Sequence, residues 1–136
     1  MRSLLFTLMI TLMPLTAPTL SWGLTDAEAI NVSGRQRMLS QRMMKDYLMI
    51  GANVKTETAQ RQLDSAVALF EEQFLALRDY APSDKINAKL DAVEEIWLSH
   101  RVKIISTPDK SLVPELLKEN LNLLTACNDV VKEIEK

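Results

Sequence analysis

Arg37 sits in the middle of a run, Ala27, Ile30, Gly34, Arg37, Gln41, Met44 and Leu48, whose steps of three and four residues put it on one side of a helix. A guanidinium inside a largely apolar strip is costly unless something negative faces it. Its planar fork offers paired N–H donors, which suit a small planar oxyanion such as nitrate, nitrite or a carboxylate. Gln41, one turn on, adds neutral donors. Gly34, one turn back, lets another backbone come close. Arg37, Gly34 and Gln41 are therefore the candidate ligand-binding residues. The plainer alternative is an Arg37 in solvent, or paired with Asp or Glu of a neighbouring helix.

Other reactive side chains point to no chemistry. Met38, Met43, Met44 and Met49 could suit Cu(I), but they scatter around the helix and read as packing residues. His100 is the single histidine, which excludes a multi-histidine metal site; Met could supply a haem's second ligand, but the sequence carries no further haem signature. Cys127 is the single cysteine, so there is no internal disulfide and no CxxC motif. Glu71-Glu72 and Glu94-Glu95 are adjacent pairs, and neighbours in a helix do not face each other. Gly-rich phosphate loops and nucleophile elbows are absent from the sequence. The expectation is no catalytic residue, no metal and no cofactor: not an enzyme.

These residues must be positioned by helices. The chain has 136 residues, 47% apolar and 25% charged, with seven Met and three Gly, a balance that favours an all-α fold of one domain. A formal charge of -2 argues against nucleic acid. Thr25-Asp26-Ala27-Glu28 is a capping box that opens a helix running to about Val54. The polar Lys55 to Thr58 stretch turns the chain into a second helix that reaches Tyr80. Ser83 or Asp84 caps a third, ending near Ser106, and a fourth starts near Pro114 and runs to the C-terminus.

Each helix carries an apolar stripe. Helix one has Ala29, Val32, Gln36, Leu39, Met43 and Ile50, flanked by Tyr47. Helix two has Ala59, Leu63, Ala66, Phe70, Phe74 and Leu77. Helix three has Ile86, Leu90, Val93, Trp97 and Ile104. On helix four the pattern predicts a core of Leu117, Leu121, Leu124, Cys127, Val131 and Ile134. Short connections between long helices predict an antiparallel up-down-up-down four-helix bundle. Helix one alone has two seams. The second one, through Arg37, calls for a second partner, most simply the same helix of another subunit across a twofold axis, with an anion between the two arginines.

Residues 1–23 have the form of a secretory signal peptide: Arg2, an apolar run from Leu4 to Leu15, then Ser21 and Gly23 at small-residue positions. An uncleaved inner-membrane anchor is the alternative, although Pro14 and Pro18 interrupt it. The domain proper is then residues 24–136, and the expected location is the periplasm.

The run Ile30-Asn31-Val32-Ser33-Gly34-Arg35-Gln36-Arg37-Met38-Leu39-Ser40-Gln41-Arg42-Met43 resembles the first-helix signature of the PilJ/NarX-like sensor domain. That domain is the periplasmic part of type IV pilus chemotransducers and of nitrate/nitrite sensor kinases. The resemblance implies a four-helix bundle, often dimeric. It also implies an anion-binding role for Arg37, whose counterpart in the nitrate sensors holds the anion at the dimer seam. The nitrate sensors carry a Lys five residues before that Arg, where this chain has Val32. They have Ser-Leu where it has Arg35-Gln36, which places it nearer the pilus-transducer version. Helix four, from Leu121 to Ala126, is weakly similar to the family's closing helix. With the chain ending at Lys136, the expectation is a periplasmic sensory or ligand-binding accessory domain, acting as a homodimer or docked on an envelope receptor. The rival expectation is a helical scaffold that binds another envelope protein.

Overall fold

The computed structural model describes residues 23–136. The expected leader therefore lies outside the described residues, Gly23 apart. Among the described residues there are four α-helices and no strand: α1 (Asp26–Gly51), α2 (Thr56–Tyr80), α3 (Asp84–Ile104) and α4 (Val113–Ile134). A single 3₁₀ turn, Lys110–Leu112, precedes α4.

Local chemistry accounts for most of the helix ends. The Thr25 backbone N–H donates to Glu28 Oε2 at 2.8 Å, and the Glu28 N–H donates back to Thr25 Oγ1 at 3.3 Å, so both halves of the capping box form. Ser83 Oγ accepts the Ile86 N–H at 3.3 Å and starts α3. α1 stops at Gly51, three residues earlier than its sequence pattern predicts. Asn53 and Lys55 adopt left-handed backbone, with φ of 60° and 44°, and turn the chain into α2 without a side-chain cap. Gly51 is tightly placed, since a Cβ there would lie 3.3 Å from Pro108 Cβ in the loop between α3 and α4.

The core is the meeting of four stripes: Leu39, Met43 and Tyr47 from α1, Leu63 and Phe70 from α2, Leu90 and Trp97 from α3, Leu116 and Leu123 from α4, all buried. Each such side chain contributes about 1.5–3 kcal/mol by leaving water. Phe70 and Trp97 meet at 4.4 Å between ring centroids. The stripes of α2 and α3 are those the spacing predicts. α4 differs. Its buried stripe is Leu116, Asn120, Leu123, Cys127 and Val130, whereas Leu117 is 48% exposed and Leu121 62%. The leucines of α4 support two stripes about 100° apart. The polar Asn120 disguises the one that is buried, and its amide is satisfied by the Ser40 carbonyl at 2.8 Å.

α1 packs closely on both α2 and α4, and α3 packs on α4, whereas α2 and α3 touch far less than these three pairs. Gln36 meets Phe70 while Lys45 meets Gln62, and Arg37 meets Asn128 while Tyr47 meets Asp109.

Candidate ligand-binding site

The motif-bearing stretch of α1 has a buried polar side and a half-buried one. On the buried side, Gln36 Nε2 donates to the Phe70 carbonyl of α2 at 3.0 Å and approaches Gln73 Oε1 at 3.5 Å. Ser40 Oγ donates to the Arg37 carbonyl at 2.8 Å, and the Ser40 carbonyl accepts from Asn120. These bonds tie α1 to α2 and α4. Ser33 Oγ and Gln36 Oε1 find no partner among the described residues, and both residues line a small void of about 10 Å³ beside Cys127. Burying a polar atom unpaired is expensive, so this part of α1 is held by specific geometry as well as by apolar area.

Arg37 lies one step round the helix, half-buried between α1 and α4. Its Nη1 donates to Asn128 Oδ1 at 2.8 Å. Among the described residues no carboxylate lies within ion-pair distance of it. Arg37 is thus neither free in water nor neutralised by a carboxylate among the described residues. Asn128 uses its only acceptor oxygen on Arg37, which leaves its amide N–H donors directed elsewhere. The charge also reaches Cys127: burial pushes that thiol up to about 12, while the guanidinium pulls the other way. Cys127 is therefore a buried thiol with no thiolate character.

Gly34 is half-buried, and Gln41 is exposed without a side-chain hydrogen-bond partner among the described residues. A Cβ at Gly34 would lie 3.6 Å from Arg37 Nη2, an ordinary contact, so nothing among the described residues demands glycine there. The second seam is not uniform. Met44 joins the core at 3% exposure, Ile30 is half-buried, and Ala27 and Leu48 are exposed. Asn128 escaped the sequence reading, because nothing local singles it out from 91 positions away.

A model of the type IV pili methyl-accepting chemotaxis transducer N-terminal family, PilJ, matches residues 19–118. The chain belongs to this family. It therefore carries a sensory-type domain of the chemotransducer class. The match covers α1 to α3 and the start of α4, and Asn128 lies beyond it. Comparison with curated proteins and with solved structures gives no match. None of the described helices of this PilJ domain is long and apolar enough to cross a membrane.

Three further groups complete the electrostatics of the PilJ domain. His100 is fully buried, with Nδ1 3.3 Å from Glu119 Oε2 and Nε2 unpartnered. Burial holds its pKa below the usual imidazole value, against the pull of Glu119. Burial works against ionised Glu119, but hydrogen bonds from Lys103, Ser99 and His100 keep its pKa low. Asp46 is fully buried. Lys45 Nζ lies 3.0 Å from its Oδ1, yet neither carboxylate oxygen receives a well-aligned hydrogen bond. The contact is an ion pair of poor angle, a weak anchor for a buried charge. Among the described residues, no group of three or more His, Cys, Asp or Glu is gathered to hold a metal ion. Met43 and Met44 are core residues, and Met38 is half exposed.

Proposed function

We propose that this PilJ domain is a non-catalytic periplasmic sensory or ligand-binding accessory domain that takes a small planar oxyanion at Arg37. The frame is an up-down-up-down antiparallel bundle exported by its N-terminal signal peptide. Two copies meet through α1 and share the anion between their arginines. The observation that carries this reading is a half-buried guanidinium bonded only to a neutral amide, Asn128, so that its charge has no counter-ion within the described chain. Arg37 Nη2 and the amide N–H of Asn128 supply the donors, with Gly34 leaving room beside them and Gln41 at the outer edge. Nitrate, nitrite and small carboxylates share the required shape. Binding shifts the packing of α1 because the anion removes a repulsion that the unliganded dimer carries.

The test is a melting-temperature titration of the purified protein with sodium nitrate, nitrite and acetate at constant ionic strength. A ligand at a hundred times its Kd stabilises by about 2.7 kcal/mol, which raises the transition by several degrees. The rise disappears in Arg37→Ala and shrinks in Asn128→Ala. A flat response at millimolar anion, or the same response in Arg37→Ala, would falsify the proposal. A second reading rests on Leu117 and Leu121, which share a stripe with Asn128 and are exposed. On that reading the α1–α4 surface docks another envelope protein, and Arg37 meets a carboxylate of that partner. A stoichiometric heterologous complex without any anion response would favour it.

A further inference from the structure

On the opposite side of the bundle, α2 and α3 leave a groove of about 470 Å³. Its floor is aromatic, with Phe74 and Trp97 both buried. Its lips are apolar and wet: Leu75 is 64% exposed and Leu98 61%, and one turn beyond Leu98, outside the groove, Val102 is 67% exposed. Leu98, Val102 and Ile105 follow steps of four and three, so they form one strip along α3 about two turns long. A single exposed leucine needs no explanation, but an apolar strip that continues a groove does. The surrounding charge is acidic. Arg78 is held by Asp91 at 2.6 Å and Glu94 at 2.9 Å, and Arg101 is held by Glu71. Glu72 and Glu95, each three residues before a lip leucine, are exposed and meet no cation among the described residues.

We infer that this groove docks an amphipathic helix of a protein partner, apolar on one face and carrying Lys or Arg along its flanks. Apolar side chains spaced at i, i+3 or i+4, and i+7 fill the trough between Leu75 and Leu98, as a further bundle helix would. The flanking cations meet Glu72 and Glu95. The excess of carboxylate repels an anionic lipid surface, which selects a basic protein segment over a membrane. The surface is separate from Arg37, which lies between α1 and α4, so the two can be tested independently.

The probe is a fluorescently labelled synthetic Leu/Lys amphipathic helix, titrated with the purified protein and followed by anisotropy. Saturable binding is expected. The double change Leu98→Ser, Val102→Ser weakens it by about tenfold or more. Glu95→Lys weakens it and flattens its salt dependence. Leu121→Ser, on the α1–α4 side, leaves it unchanged. All of these positions are exposed, and circular dichroism confirms that the variants fold. Unchanged affinity in the Leu98 and Val102 variant, or equal binding of a Leu/Glu peptide, overturns the inference. Self-association abolished by Leu98→Ser assigns the groove to a second copy. Vesicles containing phosphatidylserine that displace the peptide assign it to a membrane. Either result also overturns the inference.

Discussion

The contact between α1 and α4 and the contact between α2 and α3 are built by opposite means. Along the first, polar side chains out of bulk water reach main-chain and side-chain acceptors: the buried Asn120 amide to the Ser40 carbonyl, and the half-buried Arg37 guanidinium to Asn128. Gln36 does the same from α1 to α2. Along the second, the helices stand further apart and are bridged near the surface by Arg78 with Asp91 and Glu94, and by Arg101 with Glu71. The difference sets which part of the bundle is rigid. Hydrogen bonds out of water specify one register, because breaking them strands a polar group. Ion pairs at the rim are screened and interchangeable. The sequence motif of α1 thus serves two ends: its inward residues lock the helix, and the neighbouring Arg37 is left with an unneutralised charge.

The largest break in this contrast comes from Gln36→Ala. It removes the bond to the Phe70 carbonyl and leaves a cavity, and is expected to cost about 2–3 kcal/mol in urea unfolding. A cost near that of a surface substitution would mean that apolar area alone holds α1 to α2. A smaller effect concerns pH. The unfolded imidazole of His100 takes a proton near 6.5, while burial depresses the folded value. Between those two values the unfolded chain binds more protons, so stability falls as pH drops below about 6.5. The groups facing His100 are Glu119 and Lys103, and their mutual hydrogen bond favours both charged forms, lowering the pKa of Glu119 and raising that of Lys103. His100→Gln flattens the slope of melting temperature against pH over that range, and a slope that persists would place its origin elsewhere. The smallest effect is that of Arg78→Ala. Its pairs with Asp91 and Glu94, with the guanidinium 5.2 Å from the Phe74 ring centroid, are worth about 0.5–1 kcal/mol together. A loss of several kcal/mol would show that the α2–α3 side is as tightly specified as the α1–α4 side.

The helices were legible because their signals are local. The Thr25 to Glu28 capping box and the Ser83 cap need only residues within four positions. The stripes of α2 and α3 hold enough apolar residues to stay legible around one buried polar residue each, Gln73 and His100. α4 misled for the same reason in reverse: Asn120 occupies a core position that only Ser40 of α1 makes tolerable, so the apolar pattern pointed to Leu117 and Leu121. The α3–α4 connection held another surprise, a 3₁₀ turn capped by Asp109, whose N–H donates to Tyr47 Oη at 2.9 Å.

For the candidate site, the sequence singled out Arg37 as a charge in an awkward place. It did not reveal Asn128, the burial of Asp46 and His100, or the open groove between α2 and α3. Helical periodicity is a property of neighbouring residues, so the sequence by itself determined where the four helices run and the outline of their apolar faces. The rotation of each helix about its own axis is settled by the packing of all four at once. Only the tertiary structure therefore decided which leucines of α4 face water and which distant side chain answers Arg37.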